Sequence, residues 1–597
     1  MSQSQENLTK KFINELTDHL KENKIKETLD LFDGDNYDNI IKETSWEIVQ
    51  IASSYLTVEN AKDNGELIDC CKIILNAIAE KCNPCETVLE FLEQVDRPED
   101  DMKFCIILKV LGKSLSKMND KTKSIEWCII TIRSYVESLP VPLNEFEDST
   151  VIKIKFQNIY IAIISFLEPL VEEAALENDN SENYAILRDY LLSILIFLMG
   201  NPLCYVPEEV LESNIQYHLP EKIIMLMNRI SEDLLWFLNV VNARSKGSNS
   251  KKKNINEECC NLKIMLFESN ESVPDLAYAN FYFYIVTKSH LWEKVPQVYS
   301  LRYIFQECLY LVIKLLEEQE NVTMRKGLNL MDQLLQKITK HSLISKLLEL
   351  NVYTKLINVI VKVMIYCDNI EERKKAVQIF HKYIELFNIE ARYYVVLHLY
   401  QTSEHSGLVS VTTGILKACI IECLEATPPL PYFLGKKLES LLKLACKLQH
   451  GSASDLVELS DEIITSLNLL RFLLLRDRCN QTGIWNLVNK LEDDYLKPLR
   501  KGISLCKSHW KVKIKDLEEQ SKIHKISDNV SLENNDAEIT LTVGGEKLPA
   551  MPVSEKISFC YQAINGLDVM ESILIRVNEC ISDSPDNYAT RIRNKCD

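Results

Sequence analysis

Thiols and imidazoles are the side chains here that could most readily do chemistry, and the chain carries 19 Cys and 10 His. Cys70-Cys71 followed by Cys82-x-x-Cys85 gathers four thiols in a short stretch, the ligand type of a structural zinc site. The spacing works against that reading. Neighbouring residues on a helix diverge by about 100°, so Cys70 and Cys71 cannot both turn to one metal. No His lies nearby, and buried or surface thiols fit better. Cys419 and Cys423 share a helix face at i, i+4 and read as core. His405-Ser406 has the residue types of a base and a nucleophile, but adjacent side chains rarely face each other and no third group orients them. The acidic stretch 93–101 reads as a solvated turn. There is no Gly-rich loop followed by Lys-Ser/Thr, no GxGxxG, no GxSxG and no HExxH. These patterns predict no catalytic centre, no metal and no cofactor.

The elements that would carry any site are helical. Gly 15 and Pro 17 in 597 residues fall well below the roughly 12% that the pair usually supplies. Sandwiches, barrels and doubly wound sheets need more turns than that. Met331, Leu334, Leu335 and Ile338 recur at i, i+3, i+4, i+7. Ile463, Leu467, Leu470 and Leu474 repeat the stripe at i, i+4, i+7, i+11. Similar stripes cover 106–115, 223–238, 303–316 and 356–364. Many such helices with short breaks predict an all-α chain, an irregular HEAT- or armadillo-like solenoid in which pairs stack to cover one another's apolar faces, with one or two compact helical bundles as the alternative. The exception is ITLTVGGEKL, 539–548, where a β-prone run meets Gly544-Gly545 and predicts a small hairpin.

Polar composition marks two breaks. Residues 242–261 are polar, basic and aperiodic, which predicts a linker between an N-terminal helical region (1–241) and a C-terminal one (262–597). The triplet 251–253 has the composition of an import signal, but acids follow it and a solvated loop fits better. A second break spans 521–537. The TPPLP run at 427–431 predicts an extended connection.

The net charge of −18 disfavours nucleic acid as a partner. No run of 18 apolar residues predicts a membrane span; the most apolar stretch, 190–199, reads as a buried helix. The polar N-terminus lacks a signal core, and the odd Cys count, with Cys105, Cys128, Cys308 and Cys446 inside apolar runs, predicts free thiols. The expectation is a soluble monomer in the cytoplasm, with a nuclear pool, that works by presenting a surface.

Four motifs then carry a resemblance: SDEIITSLNLLRFLLLRD (460–477), NQTGIW (480–485), YLKPL (495–499) and LTVGGEKLPAMP (541–552). In that order and at those separations the chain resembles the glomulin family, with thinner matches at SLPVP (138–142), CNP (82–84) and HSG (405–407). The resemblance implies a non-catalytic protein of irregular HEAT-like repeats. It implies binding to the RING-box subunit of cullin–RING ubiquitin ligases, on the surface that recruits the ubiquitin-conjugating enzyme, and so inhibition of ubiquitin transfer. It also implies links to an FK506-binding immunophilin and a receptor tyrosine kinase. The alternative is a helical scaffold or adaptor in immunophilin or receptor signalling, or in trafficking.

The family's RING-binding surface is C-terminal, so the matched block supplies the expected contacts: Asn468, Arg471, Phe472, Arg476, Asp477, Gln481, Trp485 and Lys497. Lys507, His509 and Trp510 on the next helix would extend the patch. Arg471 and Arg476 can fork onto carboxylates or carbonyls. Trp485 has the area and the N–H of an anchor. Leu467, Leu470 and Leu474 are expected to be core.

Overall fold

The computed structural model describes residues 3–33, 37–95, 101–141, 149–176, 182–208, 218–246, 262–268, 272–526, 542–543, 546–547 and 552–583. Nearly all of them are helical. The expected hairpin is present as a minimal antiparallel pair, Thr542 opposite Lys547 and Val543 opposite Glu546; its Gly544-Gly545 turn lies outside the described residues. The chain forms two compact units. One comprises Met1–Ile338 with Val352–Ile379, and the other Thr339–Asn351 with Phe380–Asp597.

In the first unit, helices pack on their neighbours and on the helix after next. Asp101–Ser116 lies against Gly65–Lys81, Pro84–Val95 and Ser149–Leu176, and Thr122–Glu137 against Pro84–Val95 and Glu182–Phe197. This is the stacking of helical pairs that the amphipathic stripes require, because no single pair covers its own apolar face. At the centre lies Asp275–Thr287, in which every residue from Ala277 to Val286 is buried. A helix apolar all round is stable only when surrounded. Glu182–Phe197, Leu219–Ile230, Leu301–Glu317 and Asn321–Gln336 all contact it.

Two expectations change here. The stripe over 223–238 is two helices: Leu219–Ile230 ends at Ser231, which is extended, and Phe237–Ser245 follows. The 242–261 stretch does not separate the two units, because the helices flanking it belong to one of them. Arg244, inside that polar run, donates from Nη1 to the Val273 carbonyl at 2.6 Å and from Nη2 to the Phe267 carbonyl at 2.6 Å. Phe237 meets Phe267 and Phe281 at 5.6 and 5.8 Å between ring centroids. Composition marks a polar insertion, but the packing crosses it. Residues 247–261, including the basic triplet, lie outside the described residues.

In the second unit, buried Arg392 ties three segments together. Its Nε donates to the Phe387 carbonyl at 2.8 Å, its Nη1 to Glu422 at 2.7 Å, and its Nη2 meets the His341 ring. Ser406–Glu425 is long and apolar enough to cross a membrane by length and composition, and half of that window is buried. Its neighbours Ile389–Thr402 and Ser460–Arg476 pack against it. The TPPLP connection bends, with a cis Thr427–Pro428 bond, and then makes a 3-10 turn that buries Phe433. From Ile484 to Ile526 the chain is one continuous helical rod, widened to a π turn at Glu492–Leu496. Pro498 lacks the N–H that would bond one turn back, so the hydrogen-bond ladder must open just before it. The rod continues through Ile526, later than the polar break at 521 suggested; 527–537 lie outside the described residues.

Candidate functional site

Residues expected to touch a partner lie on the second unit, and four helices organise them. Ser460–Arg476 packs against Ser406–Glu425 and against Val553–Ser582; the latter also runs along Lys497–Ile526. The stripe Ile463, Leu467, Leu470, Leu474 is buried throughout. Ser466 reinforces it, donating to the Ala445 carbonyl at 2.6 Å. Asp461, Asn468 and Leu475, at i, i+7 and i+14, consequently face outward, and Leu475 is 49% exposed.

Around that outward line sit Arg471, Phe472 and Arg476. Arg476 is exposed and Arg471 half-buried. Arg471 lies near enough to Cys580 of the Val553–Ser582 helix to counter the rise that burial imposes on that thiol. The half-buried Phe472 ring turns the other way, with the Lys417 ammonium 5.0 Å from its centroid. Asn468, Arg471, Phe472 and Arg476 therefore share one helix between two different neighbours. Lys497, Lys507, His509 and Trp510 lie on the rod, against the far-chain helix Val553–Ser582.

Four of the expected contacts are engaged inside the protein instead. Asp477 is 4% exposed. Its carboxylate accepts the Gln481 amide at 2.7 Å and the Thr482 amide at 2.6 Å, and also the Thr482 hydroxyl. It is the staple of the turn that ends Ser460–Arg476, and it cannot reach a partner. Trp485 is half-buried, and its indole N–H donates to the Asp477 carbonyl at 2.7 Å, so that donor is not available to a partner. Lys507 bridges Asp568 and Glu571 of the Val553–Ser582 helix, each at 2.5 Å. Trp510 packs on the cluster of Ile514, Leu517 and Cys560 and meets Phe559 edge-on at 5.9 Å. Lys507 and Trp510 join segments that sequence spacing cannot bring together, while Asp477 and Trp485 close a local turn.

Gln481 keeps an exposed side chain above that turn while its amide bonds Asp477. Asn480 at φ 53° and Gly483 at φ 79° close the turn in the left-handed region, where glycine is at ease and asparagine tolerated. Lys497 is exposed and paired with Asp493 at 2.6 Å, and that carboxylate raises the pKa of its ammonium. His509 is exposed with its ring 5.5 Å from that of Trp510.

The sequence reading passed over the outer face of the rod. Lys501, Leu505, Ser508, Lys511, Val512 and Lys515 are all exposed. Spacings of three, four and seven put them on one side of a helix. A helical-wheel plot of 497–515 shows this; the lysines read individually as ordinary solvated residues.

The earlier chemical candidates resolve into structural roles. Cys70 and Cys71 are buried in Gly65–Lys81, and burial, then Cys70, pushes the Cys71 thiol up to about 12. Cys82 is buried and Cys85 exposed. Cys419 and Cys423 are buried in Ser406–Glu425. His405 caps that helix, Nδ1 accepting the Leu408 amide at 3.3 Å. Ser406 accepts the Glu462 amide at 3.3 Å. Among the described residues, no group of three or more His, Cys, Asp or Glu is placed to hold a metal ion.

Glu462 is the most perturbed carboxyl of the site. Burial first and Glu458 second push it up to about 7. Its folded value lies above its unfolded one, so its contribution to stability is full below the unfolded pKa and is lost as pH rises through about 7. Glu462→Gln is therefore expected to raise the melting temperature at pH 8 and not at pH 4. The gain is about 1 kcal/mol, discounted because the group is partly solvated. Thermal unfolding of both proteins at the two pH values measures it; equal effects at both would mean that the carboxyl is not held neutral.

The chain also compares closely with known proteins. A family model described as an uncharacterised protein family, YAP/Alf4/glomulin, matches residues 8–234 and 240–558. Glomulin of Homo sapiens is 27% identical over 572 residues, covering 94% of this chain and 91% of its own. Glomulin of Mus musculus is 28% identical over 567 residues, covering 93% and 91%. Among solved structures, a circular tandem repeat protein with novel repeat topology and enhanced subunit contact surfaces covers 96% of this chain and 97% of its own at 11% identity. Its TM-score is 0.17, at which the overlap carries no structural argument. The resemblance carried by the C-terminal motifs thus extends through the N-terminal half, and this chain belongs to the YAP/Alf4/glomulin family.

Proposed function

We propose that this protein is a non-catalytic inhibitor that masks the RING domain of the RING-box subunit of cullin–RING ubiquitin ligases. The observation that supports this most is the family match along nearly the whole chain. An open face on Ser460–Arg476 suits the role, with Asn468, Leu475 and Arg476 exposed beside Arg471. The mechanism is competition. A preformed helical surface loses little ordering entropy on binding. It covers the patch that the conjugating enzyme needs, and a few central anchors supply most of the energy. No covalent step or cofactor enters.

The test is a reconstituted ubiquitination reaction with a cullin–RING-box complex and its conjugating enzyme, titrated with this protein. Stoichiometric inhibition, relieved by excess conjugating enzyme, is the expected result. Arg471→Glu with Leu475→Ala should weaken binding by roughly 100-fold, since it reverses one charge and removes an apolar contact. Circular dichroism should remain helical. Binding without inhibition would make the protein a scaffold or adaptor, and no binding would remove the RING partner altogether.

A further inference from the structure

The chain has six Trp. Trp236, Trp292, Trp485 and Trp510 are half-buried. Trp46 is 51% exposed and Trp127 is 43% exposed, and both belong to the first unit. Their helices form part of one layer. Ser45–Ser54 packs against Pro84–Val95, which packs in turn against Thr122–Glu137.

Contacts between these helices fix their relative heights. Ser45 donates to Glu90 at 2.6 Å and the Trp46 indole to Glu93 at 2.9 Å, so Trp46 lies beside the last turns of Pro84–Val95. Thr87 donates to the Ser114 hydroxyl at 3.3 Å, and the Tyr135 ring stacks on Phe104 at 3.7 Å. Pro84–Val95 and Thr122–Glu137 therefore both run antiparallel to Asp101–Ser116, and parallel to each other. Residues 104 and 114 are about 15 Å apart along the helix, the rise of ten residues. Position 125 is thus level with Thr87, and Trp127 with Leu89. Glu86, Leu89 and Glu93 share one outward line at i, i+3, i+7, and Trp127 and Ile130 share another. Leu89 is 46% exposed and Ile130 is 58% exposed. Two indoles and two aliphatic side chains consequently meet solvent within about one helical turn of a common level.

The border of this patch is acidic. Glu47, Glu86, Glu93 and Glu137 are exposed on the three helices, against one exposed cation, Lys123. Arg133 turns away, its guanidinium 4.6 Å from the Phe197 ring centroid. Lys103 donates to Gln94 at 3.3 Å, and exposed Lys42 and Glu43, just ahead of the first helix, offset each other. No ion pair to Glu47, Glu86 or Glu93 occurs among the described residues.

We infer that this face docks a basic, partly apolar segment of a partner protein, one presenting Lys or Arg around one or two aliphatic side chains. Two features select that occupant. The carboxylates attract cations, and the indole faces attract them again through the ring quadrupole. Leu89 and Ile130 gain only from a partner with apolar surface to bury. Nucleic acid and anionic bilayers are repelled by the same carboxylates. The inference is independent of the RING-masking proposal, whose residues lie in the second unit.

The experiment uses the full chain and three labelled peptides, read by fluorescence anisotropy. One is an amphipathic helix with Leu at i, i+3, i+4, i+7 and Lys elsewhere. The others replace its Lys by Glu, or its Leu by Ser. The unaltered chain should bind the Leu/Lys peptide and neither of the others with comparable affinity. Trp46→Ala/Trp127→Ala should weaken that binding about 30-fold. Glu86→Gln/Glu93→Gln should weaken it about tenfold and flatten its salt dependence. All four positions are exposed, so circular dichroism should not change. No binding of the Leu/Lys peptide, or equal binding by both variants, would overturn the inference. Equal affinity for the Ser/Lys peptide would also overturn it, by reducing the face to an effect of charge. So would dimerisation in sedimentation that disappears in the Trp variant, which would assign the face to a second copy of the chain.

Discussion

Asp477→Ala will release the turn that closes the Ser460–Arg476 helix, at a cost of about 3 kcal/mol. The magnitude follows from what the carboxylate holds. Two backbone amides and one hydroxyl donate to it, with the amide contacts at 2.7 and 2.6 Å, and Thr482 is fully buried. Hydrogen bonds to a charged acceptor contribute about 1.5–3 kcal/mol each, and a buried donor left without one pays its desolvation in full. The turn has further dependants. The Thr482 carbonyl accepts the Gly435 amide at 3.0 Å, and the Asp477 carbonyl accepts the Trp485 indole. Asp477→Asn keeps one acceptor oxygen and should lose about half as much. Hydrogen exchange at the amides of Gln481 and Thr482, with denaturant unfolding, would check this. Unchanged protection in the Ala variant would show that the turn is held by something else.

The second large effect lies in the first unit, at Lys326, which is 2% exposed. Its ammonium donates to the Cys204 carbonyl at 2.8 Å and to Asn280 Oδ1 at 3.1 Å. Asn280 in turn donates to the Met199 carbonyl at 2.8 Å. One lysine thus pins the 199–205 turn to the central helix. Lys326→Ala opens a cavity and leaves two buried acceptors without a donor, an expected loss of about 3–5 kcal/mol.

The same burial has a pH signature. It pushes the Lys326 ammonium down to about 8, although the dipoles and charges of Cys204 and Glu208 oppose it. Between about 8 and the ordinary lysine value near 10.5 the unfolded chain holds more protons, so stability rises with pH over that window. From pH 7.5 to 9.5 the unaltered protein should gain on the order of 2 kcal/mol relative to Lys326→Met, which cannot titrate. Thermal unfolding of the pair across that range measures the difference. Parallel curves would mean that the lysine stays charged throughout.

Much of the architecture was readable from residue spacing, because helical periodicity is a local property. The stripe Ile463, Leu467, Leu470, Leu474 buries its four residues as expected, since side chains three and four apart share a face whatever they pack against. Scarce glycine and proline exclude large sheets for an equally local reason: turns need them. The Gly544-Gly545 hairpin was visible on the same terms. Which polar residues remain free for a partner was not. Lys507, Asp477 and Trp510 look like surface chemistry along the chain. Lys507 is taken up by carboxylates more than sixty residues away, Trp510 by the face of a distant helix, and Asp477 by a turn that folds back on it. Lys326 reads as a solvated helix residue and is buried, because the turn at 199–205 arrives from more than a hundred positions earlier. Local spacing assigns the face on which a side chain lies; the choice of neighbouring helix, set by burial summed over the whole unit, assigns what covers that face.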